Sequence, residues 1–182
     1  MKSELDYRPA EGDSLRLVEI TVENYLPILR LKVSEEQRQF VANNAVSLVQ
    51  GHYHDTAWFR AIYEGEKPVG FVMLHDPRYE PAEAADEQPD SDFDPAGKVA
   101  EDSLFIWRLM IGDSHQGRGL GRRVIAILAD LARSNGFSRL CLSYVEGEGG
   151  PGPFYEACGF LRSSRLIEDE IEACLELRAD AS

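Results

Sequence analysis

The stretch that most constrains this chain is Gln116-Gly117-Arg118-Gly119-Leu120-Gly121. It follows a nearly continuous apolar run, Leu104 to Ile111, and precedes a segment with Val124, Ile127, Leu128 and Leu131 at helical spacing. The run predicts a central strand buried on both faces. The spacing predicts a helix that ends near Asn135-Gly136. Glycines between strand and helix let the backbone take positive φ and approach a ligand closely. Successive N–H groups then converge at the positive end of a helix dipole and form an anion site suited to phosphate or pyrophosphate. Arg118, Arg122 and Arg123 add positive charge to a chain whose net charge is −13. The competing reading is a plain tight turn whose glycines serve helix–strand packing, and the turn alone leaves both readings open. No Walker string G-x-x-x-x-G-K-[ST] occurs, and glycines at 117, 119 and 121 do not have the spacing of a dinucleotide fingerprint.

Around this unit the patterning alternates between strand and helix. Ser14 to Thr21 alternates apolar and polar residues, as a half-buried strand does. Glu23 to Leu31 reads as a short helix with Pro27 near its first turn. Ser34-Glu35-Glu36-Gln37 has the form of a capping box, so a helix is expected from about 34 to 49, ended by Gly51. Ala57 to Glu64 and Val69 to His75 form a predicted antiparallel hairpin. Arg139 to Val145 is a further strand, Pro153 to Cys158 a short helix closed by Gly159, and Phe160–Ile167 with Ile171–Leu177 a last hairpin. The order β-α-α-β-β-β-α-β-α-β-β predicts an α/β fold with a mixed sheet and helices on both faces, in one domain spanning 1–182.

Charge narrows the partners. Asp76 to Asp102 holds ten acids against Arg78 and Lys98, together with four of the nine prolines. This stretch, 76–102, is expected to be a long, solvated, disordered-like acidic loop, or alternatively a lid that gathers a polycation. The acidity argues against nucleic acid as a partner. No apolar run reaches the roughly 20 residues of a membrane helix, so no membrane partner is expected. Met1 to Pro9 lacks a signal-peptide core. Three cysteines without a CxxC predict no disulfide framework and a cytoplasmic setting. His52-Tyr53-His54 has no third ligand at a recognisable spacing, so no metal is expected. His75 and His115 read as surface histidines at element ends.

Gln116-x-x-Gly119-x-Gly121 after an apolar strand resembles the Q/R-x-x-G-x-G/A pyrophosphate loop of the GNAT superfamily of acetyl-CoA-dependent N-acetyltransferases. Phe154-Tyr155-Glu-Ala-Cys-Gly159-Phe160 looks like that family's late F/L-Y-x-x-x-G-F motif, at a typical distance from the first. The resemblance covers roughly Leu15 to Leu177. A narrower likeness, in Leu31–Gln37, Phe40–Asn43, Ser47-Leu48 and Trp107–Ile111, is to bacterial spermine/spermidine acetyltransferases.

The family resemblance implies a GNAT-like mixed, mostly antiparallel sheet of six to seven strands, with acetyl-CoA as cosubstrate and a small amine, a polyamine first, as acceptor. It implies Tyr155 as the acid that protonates the departing thiolate. Backbone near Met110 and Ile111 would bind pantetheine, and Gln116, Gly117, Arg118, Gly119, Leu120, Gly121 and Arg122 would hold the pyrophosphate. A homodimer is a family-level expectation. A protein N-terminus, a lysine or an aminoglycoside are alternative acceptors, and a non-catalytic acyl-CoA-binding regulator is a rival on the same fold.

The chemistry sets one further demand. An alkylamine with a pKa of about 10.4 is mostly charged at pH 7, and deprotonating it costs about 4.6 kcal/mol. A carboxylate or ordered water must accept that proton, and Asp102, Glu101, Glu64 and Glu36 are the candidates. Trp107 and Arg108 line the acceptor pocket or, for Trp107, belong to the core. Cys158 reads as a small packed cysteine rather than a nucleophile.

Overall fold

The computed structural model of the protein describes residues 2–10, 12–80, 95 and 98–177. Most of the acidic stretch, where the sequence predicts a disordered-like loop, lies outside the described residues.

Eleven main elements follow in chain order: β1 (Leu15–Val18), α1 (Tyr25–Arg30), α2 (Asn44–Tyr53), β2 (Ala57–Glu64), β3 (Lys67–His75), β4 (Ser103–Ile111), α3 (Leu120–Ser134), β5 (Arg139–Tyr144), α4 (Gly152–Ala157), β6 (Leu161–Ile167) and β7 (Glu170–Glu176). The seven strands form one sheet in the order β1-β2-β3-β4-β5-β7-β6. Every neighbouring pair is antiparallel except β4 and β5. The sheet is therefore mixed and mostly antiparallel, as expected.

The single parallel pair creates the functional geometry. β4 and β5 are in register only from Ser103↔Arg139 to Ile106↔Leu142. Beyond that point β4 stays with β3 as far as Ile111, while β5 stays with β7 as far as Tyr144. The two strands diverge and leave a V-shaped opening in the sheet. Asp102 fastens the closed end. Its carboxylate takes Arg139 at 2.5 Å and Ser138 Oγ at 2.6 Å, and its carbonyl accepts the Ser138 amide at 3.0 Å. Arg139, then Ser138, hold its carboxyl below the usual range.

Each face of the sheet carries a core. α3 covers one face through Val124, Leu128 and Leu131, which pack against Leu104, Ile106 and Leu140. Its last turn closes with Asn135 Nδ2 on Leu131 O (2.8 Å) and the Phe137 amide on Ala132 O (3.0 Å), across a left-handed Gly136. The other face carries α1 and α2, with Ile28 and Leu48 over Phe71, Phe105 and Trp107.

Four expectations are corrected. The helix expected over 34–49 is a single tight turn, Glu35–Gln37, followed by an irregular stretch and then α2. Ser34 caps nothing; the N-cap is Asn43, whose Oδ1 accepts the Val46 amide at 3.0 Å. The chain between them is claimed by tertiary contacts, since Phe40 and Val41 pack over the opening in the sheet. Gly51 lies inside α2 rather than ending it, and its role is close packing: a Cβ there would sit 2.6 Å from the Phe59 ring. Cys141 and Cys174, opposed across β5 and β7, form a disulfide; sequence spacing could not show this, because the register that brings them together is tertiary. His75 is fully buried, with Nε2 2.7 Å from Glu80 Oε1. Asp76, the first acid of the stretch, is also fully buried, and Arg78 Nη2 donates to it at 2.8 Å.

Candidate active site

The opening between β4 and β5 leads into a crevice of about 530 Å³ on the α3 side of the glycine turn. Its floor is the diverging end of β4, including Met110 and Ile111, and its wall is the turn Gln116–Gly121 with the start of α3. Gly117 and Gly119 have φ of +73° and +75°, and a Cβ on either would project into open space. That conformation turns successive amides the same way. Among the described residues, no carbonyl or side chain accepts the N–H of any residue from Gly117 to Arg122. The next amide, Arg123, reaches Gly119 O at 3.2 Å. Six consecutive unclaimed donors at the head of a 15-residue helix fit a diphosphate without further charge.

Gln116 shapes this turn with its side chain. Nε2 donates to Ile111 O at 2.9 Å and to Gln37 Oε1 at 2.8 Å, which ties the turn to the end of β4. Gly70 on β3 has a related role. A Cβ there would lie 2.4 Å from Met110 O, so only glycine lets β3 approach β4 at this level.

The three arginines near the turn behave differently. Arg118 is not among the crevice-lining residues: its Nη2 grips both Glu64 oxygens at 2.8 and 3.0 Å. Arg123 is likewise bound to Asp13 at 2.7 Å. Arg122 lines the crevice and has no ion pair among the described residues. Leu120, though buried, contributes to the lining, and so do the loop Gly149-Gly150-Pro151 and His115, which the sequence reads only as a surface histidine.

Tyr155 stands where two cavities meet. It lines the crevice and also a smaller hollow of about 340 Å³ beside it. α4 presents it, and the rings of Tyr144, Phe154 and Phe160 hold it at centroid distances of 6.0, 5.2 and 5.7 Å. Its phenol is pushed up, mainly by burial and further by Cys158 and Glu170, so it stays protonated. Burial also raises the Cys158 thiol, with Arg122 opposing, which disfavours the thiolate that covalent catalysis requires.

The hollow gathers side chains from distant segments: Arg38, Phe40, Arg108, Ser143, Tyr144 and Glu170 among them. Among the described residues, Glu170 is the only acid lining it. The acids selected from sequence lie elsewhere. Asp102 fastens the closed end of the sheet, Glu64 holds Arg118, and Glu36 and Glu101 are exposed outside both cavities. Glu170 carried no sequence signal, because only the β5–β7 pairing brings it beside Tyr155. Trp107 is a buried core residue with its ring near those of His54 and His75, and both it and Arg108 line the hollow. His52 is exposed at the end of α2.

Residues 17–160 match the Acetyltransferase (GNAT) family. No curated protein matches the sequence significantly. Among solved structures, a spermidine N-acetyltransferase chimera from Vibrio cholerae is similar, with a TM-score of 0.59 and 18% identity, over 91% of this chain and 96% of that one. An N-acetyltransferase from Thermoplasma acidophilum in complex with coenzyme A superposes with a TM-score of 0.57 at 12% identity, over 90% and 99% of the two chains. A ribosomal-protein alanine N-acetyltransferase from Escherichia coli gives 0.58 at 12% identity, over 92% and 98%. At these identities the structural likeness establishes the fold, and the family match runs through the diverging strands, the glycine turn and the tyrosine helix. The chain belongs to the GNAT family of acetyltransferases, which use acetyl-CoA as acyl donor.

Proposed function

We propose that the protein transfers acetyl from acetyl-CoA to a small primary amine by direct attack, with the coenzyme in the crevice and the amine in the hollow. The observation that carries this reading is Tyr155, a protonated phenol at the junction of the two cavities. Amides 117–122 take the diphosphate, with Arg122 beside them. The free edge of β4 at Met110 and Ile111 receives the pantetheine arm as an added strand would, and its N–H groups polarise the thioester carbonyl. The amine nitrogen adds to that carbonyl, the C–S bond breaks, and the thiolate takes the Tyr155 proton.

A polyamine is the leading acceptor. The chain's charge of −13 enriches polycations near its surface, and a spermidine acetyltransferase shares the fold. A second reading has its own support. Arg38 and Arg108 line the hollow, and such a wall suits an acceptor that carries an acidic group beside its amine, as amino acids and peptides do. An acetyl-CoA-dependent thiol-release assay over polyamines, amino acids, peptides and aminoglycosides separates them. If polyamines lead, their KM rises several-fold between low and high salt, because screening removes the attraction. A flat KM removes the electrostatic argument. Coenzyme binding without thiol release on any amine overturns the enzymatic reading.

A further inference from the structure

We propose that Glu170 receives the acceptor's ammonium group and takes its proton, and that Ser143 positions the carboxylate for this. The proposal rests on the hollow being the acceptor side of an acetyl transfer. Chemistry demands a proton acceptor there, since the attacking nitrogen needs a free lone pair. None of the acids selected from the sequence lines the hollow, and Glu170 does.

Its geometry suits the role. Glu170 opens β7, and its Oε2 accepts the Ser143 hydroxyl from β5 at 2.5 Å. Ser143 is opposite Glu172 in the ladder, so the Glu170 carboxylate leans diagonally across to it. Among the described residues, Oε1 has no hydrogen-bond partner, which leaves that oxygen for a ligand. The charged and titratable groups sharing the hollow are Arg38, Arg108, Tyr144 and Tyr155. The Tyr155 phenol is near enough to feel the Glu170 charge. Acid and proton acceptor thus face one small space from different elements.

The protons balance. The ammonium gives one proton to Glu170, which passes it to solvent. The neutral nitrogen forms the C–N bond, and the adduct keeps one surplus proton on nitrogen. The C–S bond breaks, Tyr155 protonates the sulfur, and the surplus nitrogen proton restores the phenol.

The test compares wild type, Glu170→Gln and Ser143→Ala by thiol release, with spermidine and an alanine-initiated peptide as acceptors. Calorimetry with coenzyme A and thermal melting serve as controls. Glu170→Gln is expected to lower kcat/KM for the amine about 100-fold at pH 7, with coenzyme A affinity unchanged. The deficit should shrink to under about tenfold as the pH approaches the amine's own pKa, about 10.4 for an alkylamine, because solvent then supplies free amine. Ser143→Ala should lose about three- to tenfold, with the same pH trend. A deficit that is constant with pH overturns the proton-accepting role. Unimpaired Glu170→Gln beside an active wild type overturns this proposal alone. A wild type inactive on every amine overturns the acceptor reading and this one with it. If Glu170→Gln does not fold, Ser143→Ala decides: wild-type rates at every pH overturn the proposal.

Discussion

The crevice and the hollow meet at Tyr155 and are built on opposite principles. The crevice takes its donors from the backbone of six consecutive residues at the head of one helix. The hollow takes its chemistry from side chains on the turn before α2, β4, β5, α4 and β7. A backbone grip is set by conformation, so it persists while most side chains around it change. A side-chain hollow changes with each substitution. On the proposed reading the first fixes the class of donor and the second selects the acceptor, so family membership identifies acetyl-CoA and the amine is found by assay.

The largest expected effect lies where the two regions join. Tyr155→Phe keeps the ring packed among Tyr144, Phe154 and Phe160 and removes only the hydroxyl. We expect kcat to fall about 100- to 1,000-fold while acetyl-CoA affinity stays within about twofold of wild type. An unchanged kcat would dissolve the junction between the regions and leave Tyr155 a packing residue.

Next in size is a change confined to the crevice. Gly119→Val forces a β-branched residue to φ +75° and projects its side chain into the space before the amides. The left-handed strain is about 1–2 kcal/mol. With the diphosphate also obstructed, we expect coenzyme A to bind at least about 30-fold more weakly by calorimetry. At saturating acetyl-CoA the ranking of acceptors should not move, because the hollow is untouched. A changed ranking would show that the two regions are not separable.

This division also explains what the sequence revealed. The strands and α3 were legible because their apolar periodicity is local: the run 104–111 is β4 within one residue, and the alternation before Thr21 contains β1. The glycine turn was legible for the same reason, since strand, turn and helix are contiguous. Ser34–Gln37 misled because a capping box is only a local preference. Here the following residues, Phe40 and Val41, are drawn over the crevice instead of into a helix. Glu170, the Cys141–Cys174 bridge and the burial of His75 were not legible. Each depends on strand pairing between segments far apart in the chain, and nothing in the neighbouring residues encodes the partner.

The smallest expected effect probes a side chain of the glycine turn that does not line the crevice. Arg118 sits inside the glycine turn, yet its guanidinium is turned back onto Glu64 at the end of β2. The pair is half-exposed on the arginine side, so it contributes less than about 1 kcal/mol to stability. Glu64→Gln should leave the melting temperature nearly unchanged and free a positive charge beside the diphosphate amides. We expect coenzyme A to bind about two- to fourfold more tightly at low ionic strength. That gain should vanish by about 0.5 M salt, where screening is strong. Weaker binding in Glu64→Gln would mean that Glu64 aims Arg118 at the phosphates rather than withholding it. The crevice would then depend on a side-chain pair after all, as the hollow does.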